Sequence, residues 1–215
     1  MTLSTALLSL LVALSGQAAP AAPAPAMVGD PYPLDTCIVS GEKLGADAKV
    51  VVLSDQKDPL QNGRQMKFCC PKCETEFAAD PARYVRDLDA KIVAAQGKGY
   101  PIDHCLMMRD EKLDDGAKVV VYGNRVYKFC CAKCVRKFGA DPAKWSAEYE
   151  KEVVKAQKPG YPLDTCPISG KTLGDGAVDV VIGSRLVRTC CPGCVGPVKA
   201  DPAAAFAKID AAKKG

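Results

Sequence analysis

Two β-branched and aromatic runs, Lys118-Val119-Val120-Val121-Tyr122 and Arg125-Val126-Tyr127-Lys128-Phe129, flank the pair Gly123-Asn124. Both turn residues tolerate positive φ, so the pattern predicts a two-stranded hairpin. It recurs around Gly183-Ser184, and earlier around a longer connection, Ser54 to Gly63. After each hairpin the period lengthens to that of a helix. Tyr84, Leu88 and Ile92 are spaced i, i+4, i+8, as are Trp145, Tyr149 and Val153. Such stripes predict helices with one core-facing side. Asp80-Pro81, Asp141-Pro142 and Asp201-Pro202 mark helix starts, because Asp caps and Pro is tolerated at the first helical position. Gly97-Lys98-Gly99 and Lys158-Pro159-Gly160 stop these helices. A shorter helix is predicted upstream, beginning at a Cys-x-x-Cys.

These elements belong to one unit repeated three times. Each copy opens on Tyr-Pro-x-Asp-x-Cys, ending at Cys37, Cys105 or Cys166, and continues through the hairpin to a Cys-Cys-x-x-Cys. The clusters are Cys69, Cys70, Cys73; Cys130, Cys131, Cys134; and Cys190, Cys191, Cys194. Four cysteines per copy account for all 12. A repeat of this period divides the chain into modules at 30–97, 98–158 and 159–215. The predicted class is small α+β: three tandem Cys-rich modules, each a knuckle turn, a β-hairpin and two short helices.

Upstream, Ala6 to Leu14 is an apolar run too short to span a bilayer, followed by small residues that permit cleavage. Residues 1–19 therefore read as a signal peptide, although this segment carries no Lys or Arg, and 20–29 as an Ala/Pro-rich spacer. The expected location is secreted or periplasmic. With 29 basic against 25 acidic residues, a net charge of +4 and no block of like charge, a nucleic-acid footprint is not indicated. No apolar run reaches membrane-spanning length, so no integral span is expected after signal cleavage.

A module of about 60 residues with so few large apolar side chains needs a staple, which is two disulfides or a metal. Geometry argues for the metal. A Cys-x-x-Cys at a helix N-terminus gathers thiolates that the helix dipole favours, and the lone upstream Cys supplies a third sulfur. This is the layout of a treble-clef finger, except that the second knuckle position is Ser40, Met108 or Ser169. The additional Cys69, Cys130 or Cys190 fills that vacancy and restores four sulfurs. The alternative is a disulfide pairing such as Cys37 with Cys69 and Cys70 with Cys73. Met108 stays a candidate ligand, because thioether with thiolate favours Cu(I). Met107 reads as core filler, and His104, the only His, as a surface residue.

Copy 2, from Tyr122 through Phe129-Cys130-Cys131-Ala132-Lys133-Cys134 to Phe138, Asp141-Pro142 and Trp145, resembles the YHS and TRASH group of heavy-metal-binding domains. Copy 1 matches through Phe68, its Cys cluster, Phe77, Asp80-Pro81 and Tyr84. The resemblance implies a treble-clef-like metal module. It implies ligands at Cys37, Cys69, Cys73; at Cys105, Cys130, Cys134; and at Cys166, Cys190, Cys194. The gap from first to second Cys, 31, 24 and 23 residues, exceeds that family's usual spacing, so either member of each adjacent Cys pair fits. Copy 3 departs further, with Thr189, Val198 and Ala205 in the aromatic positions, and reads as degenerate.

No Ser/His/Asp set, P-loop or dinucleotide turn is present, so no enzyme is expected. The favoured function is storage, buffering or delivery of Zn or Cu outside the cytoplasm, with a metal-transport or envelope protein as partner. A secreted structural or adaptor array is the alternative. Thiol-disulfide redox ranks third, since the βαβ context it requires is absent.

Overall fold

The structure is a computed structural model and describes residues 26–214. The signal peptide falls on residues outside this range. Module 1 contains strands β1 (Lys49–Val52) and β2 (Gln65–Phe68) and helices α1 (Pro71–Ala79) and α2 (Pro81–Gln96). Module 2 contains β3 (His104–Cys105), β4 (Met108–Lys112), β5 (Lys118–Tyr122), β6 (Arg125–Phe129), α3 (Ala132–Ala140) and α4 (Pro142–Gln157). Module 3 contains β7 (Val178–Ile182), β8 (Arg185–Thr189), α5 (Val195–Ala200) and α6 (Pro202–Ala212). All strand pairs are antiparallel and two-stranded.

The local signals act as their chemistry dictates. Gly123 and Asn124 both take positive φ, 54° and 60°, and close β5 onto β6 with Val121 opposite Val126. Asp80, Asp141 and Asp201 each accept a hydrogen bond from the backbone N–H three residues on, capping α2, α4 and α6. Tyr84, Leu88 and Ile92 are buried in module 1, and Tyr149 and Val153 in module 2. In module 3 the smaller Val198 and Ala205 are fully buried at the equivalent positions, so that core is thinner. The helix after its Cys cluster also starts late, as a 3₁₀ turn over Pro192–Cys194, because Gly193 is a poor helix former at that place. The short β3–β4 pairing in module 2 was not predicted; modules 1 and 3 have only the single bridges Thr36–Lys43 and Thr165–Thr172 there.

The modules interlock. Helix α2 packs on the hairpin of module 2 and α4 on that of module 3. Val121 and Val126 consequently join the core of module 1, and Val181 that of module 2. The last residue of each helix fastens the next hairpin turn. Gln96 Nε2 donates to Asn124 O and its Oε1 accepts from Val126 N; Gln157 does the same for Ser184 O and Leu186 N. The repeated tyrosine follows suit, since Lys128 N donates to Tyr100 Oη and Arg188 N to Tyr161 Oη.

The three hairpin tips meet around Asp30. Its carboxylate accepts from Arg125 Nε (2.9 Å) and Nη2 (2.7 Å) and from Gly183 N (2.6 Å). Asn124 Oδ1 accepts from Arg64 Nε at 2.7 Å, and its Nδ2 donates to the carbonyls of Asp30 and Gln65. Asp30 is 2% exposed and Arg125 2%, so this is a buried ion pair. Each tip arginine also pairs with a carboxylate 25 residues downstream: Arg64 with Asp89, Arg125 with Glu150, Arg185 with Asp210. Val28 donates to Gly63 O, and Asp30 N to Gly123 O. Residues 28 and 29 are thus part of the centre and not free spacer, because their backbone closes the gap between tips 1 and 2. Gly29 has φ +73°, and a Cβ there would lie 2.3 Å from Gly123 O. Gly29→Ala is expected to destabilise the protein by more than about 1 kcal/mol, read from urea unfolding.

Candidate metal centres

Each hairpin ends, away from the centre, in a thiol cluster. The first Cys sits on a knuckle turn. Cys37 N donates to Glu42 O and Gly41 N returns to Cys37 O, with Gly41 at φ +77°. Cys166, Lys171 and Gly170 repeat the arrangement, and in module 2 Cys105 pairs with Met108 across β3 and β4. The second Cys leaves the hairpin's last strand. A third lies in the first helical turn, where Cys73, Cys134 and Cys194 are buried.

The sulfurs of Cys37, Cys69 and Cys73 lie within 4.8 Å of one another, as do those of Cys105, Cys130, Cys134 and of Cys166, Cys190, Cys194. The Cys69–Cys73, Cys130–Cys134 and Cys190–Cys194 Sγ separations are 3.6, 3.8 and 3.9 Å. A tetrahedral Zn–S bond of about 2.3 Å implies S···S edges of about 3.8 Å, which these three edges match. All 12 cysteines are free thiols, so neither the Cys37–Cys69 nor the Cys70–Cys73 disulfide is formed. The loss of aromatics in module 3 leaves its triad as complete as the others.

The middle thiols stand beside the triads. Cys70 Sγ is 3.6 Å from Cys73 and 3.9 Å from Cys69. Cys131 is 3.8 Å from Cys134, and Cys191 is 3.8 Å from Cys190 and 4.0 Å from Cys194. Cys131 and Cys191 are exposed. The knuckle serines, which the sequence treats only as missing ligands, face the clusters: Ser40 Oγ is 3.3 Å from Cys69 Sγ and Ser169 Oγ 3.2 Å from Cys190 Sγ. Their shared position three residues after the first Cys is the signal that marks them. Met108, at that position in module 2, has 48% exposure, and its backbone N–H is what it offers to Cys105. His104 is half-buried between carboxylates, with Nδ1 3.0 Å from Asp103 and Nε2 3.9 Å from Glu152.

Electrostatics split the thiols. Burial pushes Cys166 up, but the hydroxyl and backbone N–H of Ser169, with the N–H groups of Cys190 and Ile168, more than offset it, leaving the thiol at about 6. Cys37 lies at about 7 by the same balance of burial against Ser40, Cys69 and Val39. Burial and neighbouring sulfurs push Cys73 and Cys194 up to about 12. Backbone N–H groups and neighbouring side chains pull two thiols of each cluster, the first and the middle (Cys37 and Cys70, Cys105 and Cys131, Cys166 and Cys191), below the ordinary thiol value, and the deeper helix sulfur keeps its proton until a cation displaces it. A depressed thiol favours the folded state above its unfolded pKa. That contribution is lost as pH falls through about 6 for Cys166. Ser169→Ala should move the first thiolate absorbance step at 240 nm to higher pH in the metal-free, reduced protein; an unmoved step would show that the backbone N–H groups suffice.

Strands of four or five residues place each cluster about 13 to 17 Å from the tip of its hairpin. Every triad draws its sulfurs from one module, so the described residues offer three separate candidate ion sites. No helix among the described residues is long and apolar enough to cross a membrane. Comparison with protein-family models, curated proteins and solved structures finds no match to this chain.

Proposed function

We propose that the protein is a non-catalytic carrier of soft or borderline metal ions, Zn(II) or Cu(I), that works outside the cytoplasm in storage, buffering or delivery. The observation that carries this reading is the threefold recurrence of a thiol triad at ion-binding spacing. Thiolate sets favour Zn and Cu(I) over hard cations. The resemblance of the modules to YHS and TRASH treble-clef domains supports the same chemistry, and the N-terminal apolar run supports the location. The exposure of Cys131 and Cys191 leaves a sulfur of modules 2 and 3 within reach of an acceptor, which supports a carrier over a structural array. Its partner is a metal-transport or envelope protein with its own thiolate site. Native mass spectrometry of reduced protein loaded with Zn(II) or Cu(I) tests the reading. Three bound ions are expected. Protein isolated with six disulfides that takes up no ion after reduction overturns it.

A further inference from the structure

In modules 1 and 3 the cluster is two triangles of sulfur sharing one edge. The inner triangle is Cys37, Cys69, Cys73, and the outer is Cys69, Cys70, Cys73, whose edges are 3.9, 3.6 and 3.6 Å. In module 3 the outer triangle, Cys190, Cys191, Cys194, has edges of 3.8, 3.9 and 4.0 Å. Module 2 has the inner set and Cys131 at 3.8 Å from Cys134. The apices differ in access. Cys37, Cys105 and Cys166 are 1%, 0% and 2% exposed, whereas Cys131 and Cys191 are exposed and Cys70 half-buried. They also differ in restraint. In modules 1 and 3 the shared-edge sulfurs Cys69 and Cys190 contact Ser40 and Ser169, while the middle cysteines cap their helices without any side-chain hydrogen bond to the backbone.

An acceptor approaching from solvent cannot reach the inner apex. It meets the middle sulfur first. Building on the carrier reading above, we infer that each module holds its ion in two positions, a sealed inner one and an exposed outer one, and that Cys70, Cys131 and Cys191 are the sulfurs through which ions enter and leave. The move exchanges one bond. The middle thiol gives its proton to water and its sulfur bonds the ion. The bond to Cys37, Cys105 or Cys166 breaks, and its electron pair stays on that sulfur. No oxidation state changes, and two sulfurs hold the ion throughout. The acceptor this suits is a second thiolate site, and the exposed Lys72 and Lys133 beside the outer sulfurs favour one of negative charge.

The test uses the full chain loaded with Zn(II), native mass spectrometry for occupancy, and release to the chromophoric chelator 4-(2-pyridylazo)resorcinol for rate. The Cys70→Ala/Cys131→Ala/Cys191→Ala protein is expected to hold three ions and to release them at least tenfold more slowly than the unaltered chain. The corresponding Ser variants, which supply a helix-capping oxygen, carry the same expectation and guard against misfolding. Fewer than three ions in a folded variant would make the middle cysteines fixed fourth ligands, and an unchanged release rate would remove them from the path; either result overturns the inference. An unaltered chain that binds no zinc would instead overturn the carrier reading itself.

Discussion

Asp30→Ala lowers the stability of the entire chain by about 3 to 5 kcal/mol, the usual effect of removing one partner from a buried ion pair. The Asp30 carboxylate accepts three hydrogen bonds, two from Arg125 and one from the backbone of Gly183. Without it the Arg125 guanidinium keeps Glu150, about half exposed, and the carbonyl of Val181 as partners. Gly183 N–H is left without an acceptor at a buried position. Urea unfolding of the reduced, metal-free protein reads the effect. The double variant Asp30→Ala/Arg125→Leu should recover part of the loss, since no buried charge then remains unpaired. A drop below 1 kcal/mol in the single variant would mean that solvent reaches the centre.

Cys134→Ser abolishes one ion of three and leaves the other two in place. Cys134 belongs to the module 2 triad and contacts both Cys130 and Cys131, so its sulfur is common to every arrangement of that cluster. Affinity at this site falls by more than about 100-fold, beyond what loss of an outer hydrogen-bonding partner causes. The thermal consequence follows from linkage. An ion present at a thousand times its dissociation constant stabilises the protein that binds it by about 4 kcal/mol, so the loaded variant melts below the loaded parent while the two metal-free proteins differ little. Native mass spectrometry counts the ions and calorimetry gives the melting difference. Loss of two or three ions from the single change would show that the sites are linked, against the confinement of each triad to one module.

What the sequence made legible is what short-range chemistry controls. The Gly123-Asn124 turn, the three Asp-Pro caps and the stripe Tyr84, Leu88, Ile92 depend on neighbours within a turn or two of chain, and each formed as its pattern implied. The clustering of the sulfurs was legible because the spacing repeats. What stayed hidden depends on distant partners. Asp30, at the end of an Ala/Pro tract, reads as one more solvated acid, and nothing local announces that Arg125 and Gly183 will meet it. Gln96 and Gln157 look like exposed helix ends, yet each ties down the next hairpin. The 25-residue interval linking Arg64 to Asp89, Arg125 to Glu150 and Arg185 to Asp210 is a repeat that a search for charge periodicity would have found. Ser40 and Ser169 read in the sequence only as missing ligands, because a hydroxyl is a poor ligand for a soft ion; their contact is with the ligand sulfurs instead.

The chemistry of the centre also fixes when the molecule can be finished. Asp30 waits for Arg125, 95 residues later, and for Gly183, 153 residues later. A chain delivered N-terminus first, from a ribosome or through an export channel, presents that carboxylate long before its last partner exists. Modules 1 and 2 can each gather sulfur and form their hairpins in that interval, because those contacts are local. The centre cannot close until the third hairpin emerges, so long-range closure comes last and sets the pace. During the interval the thiols of the first two modules are already grouped while the scaffold that fixes their relative positions is still open.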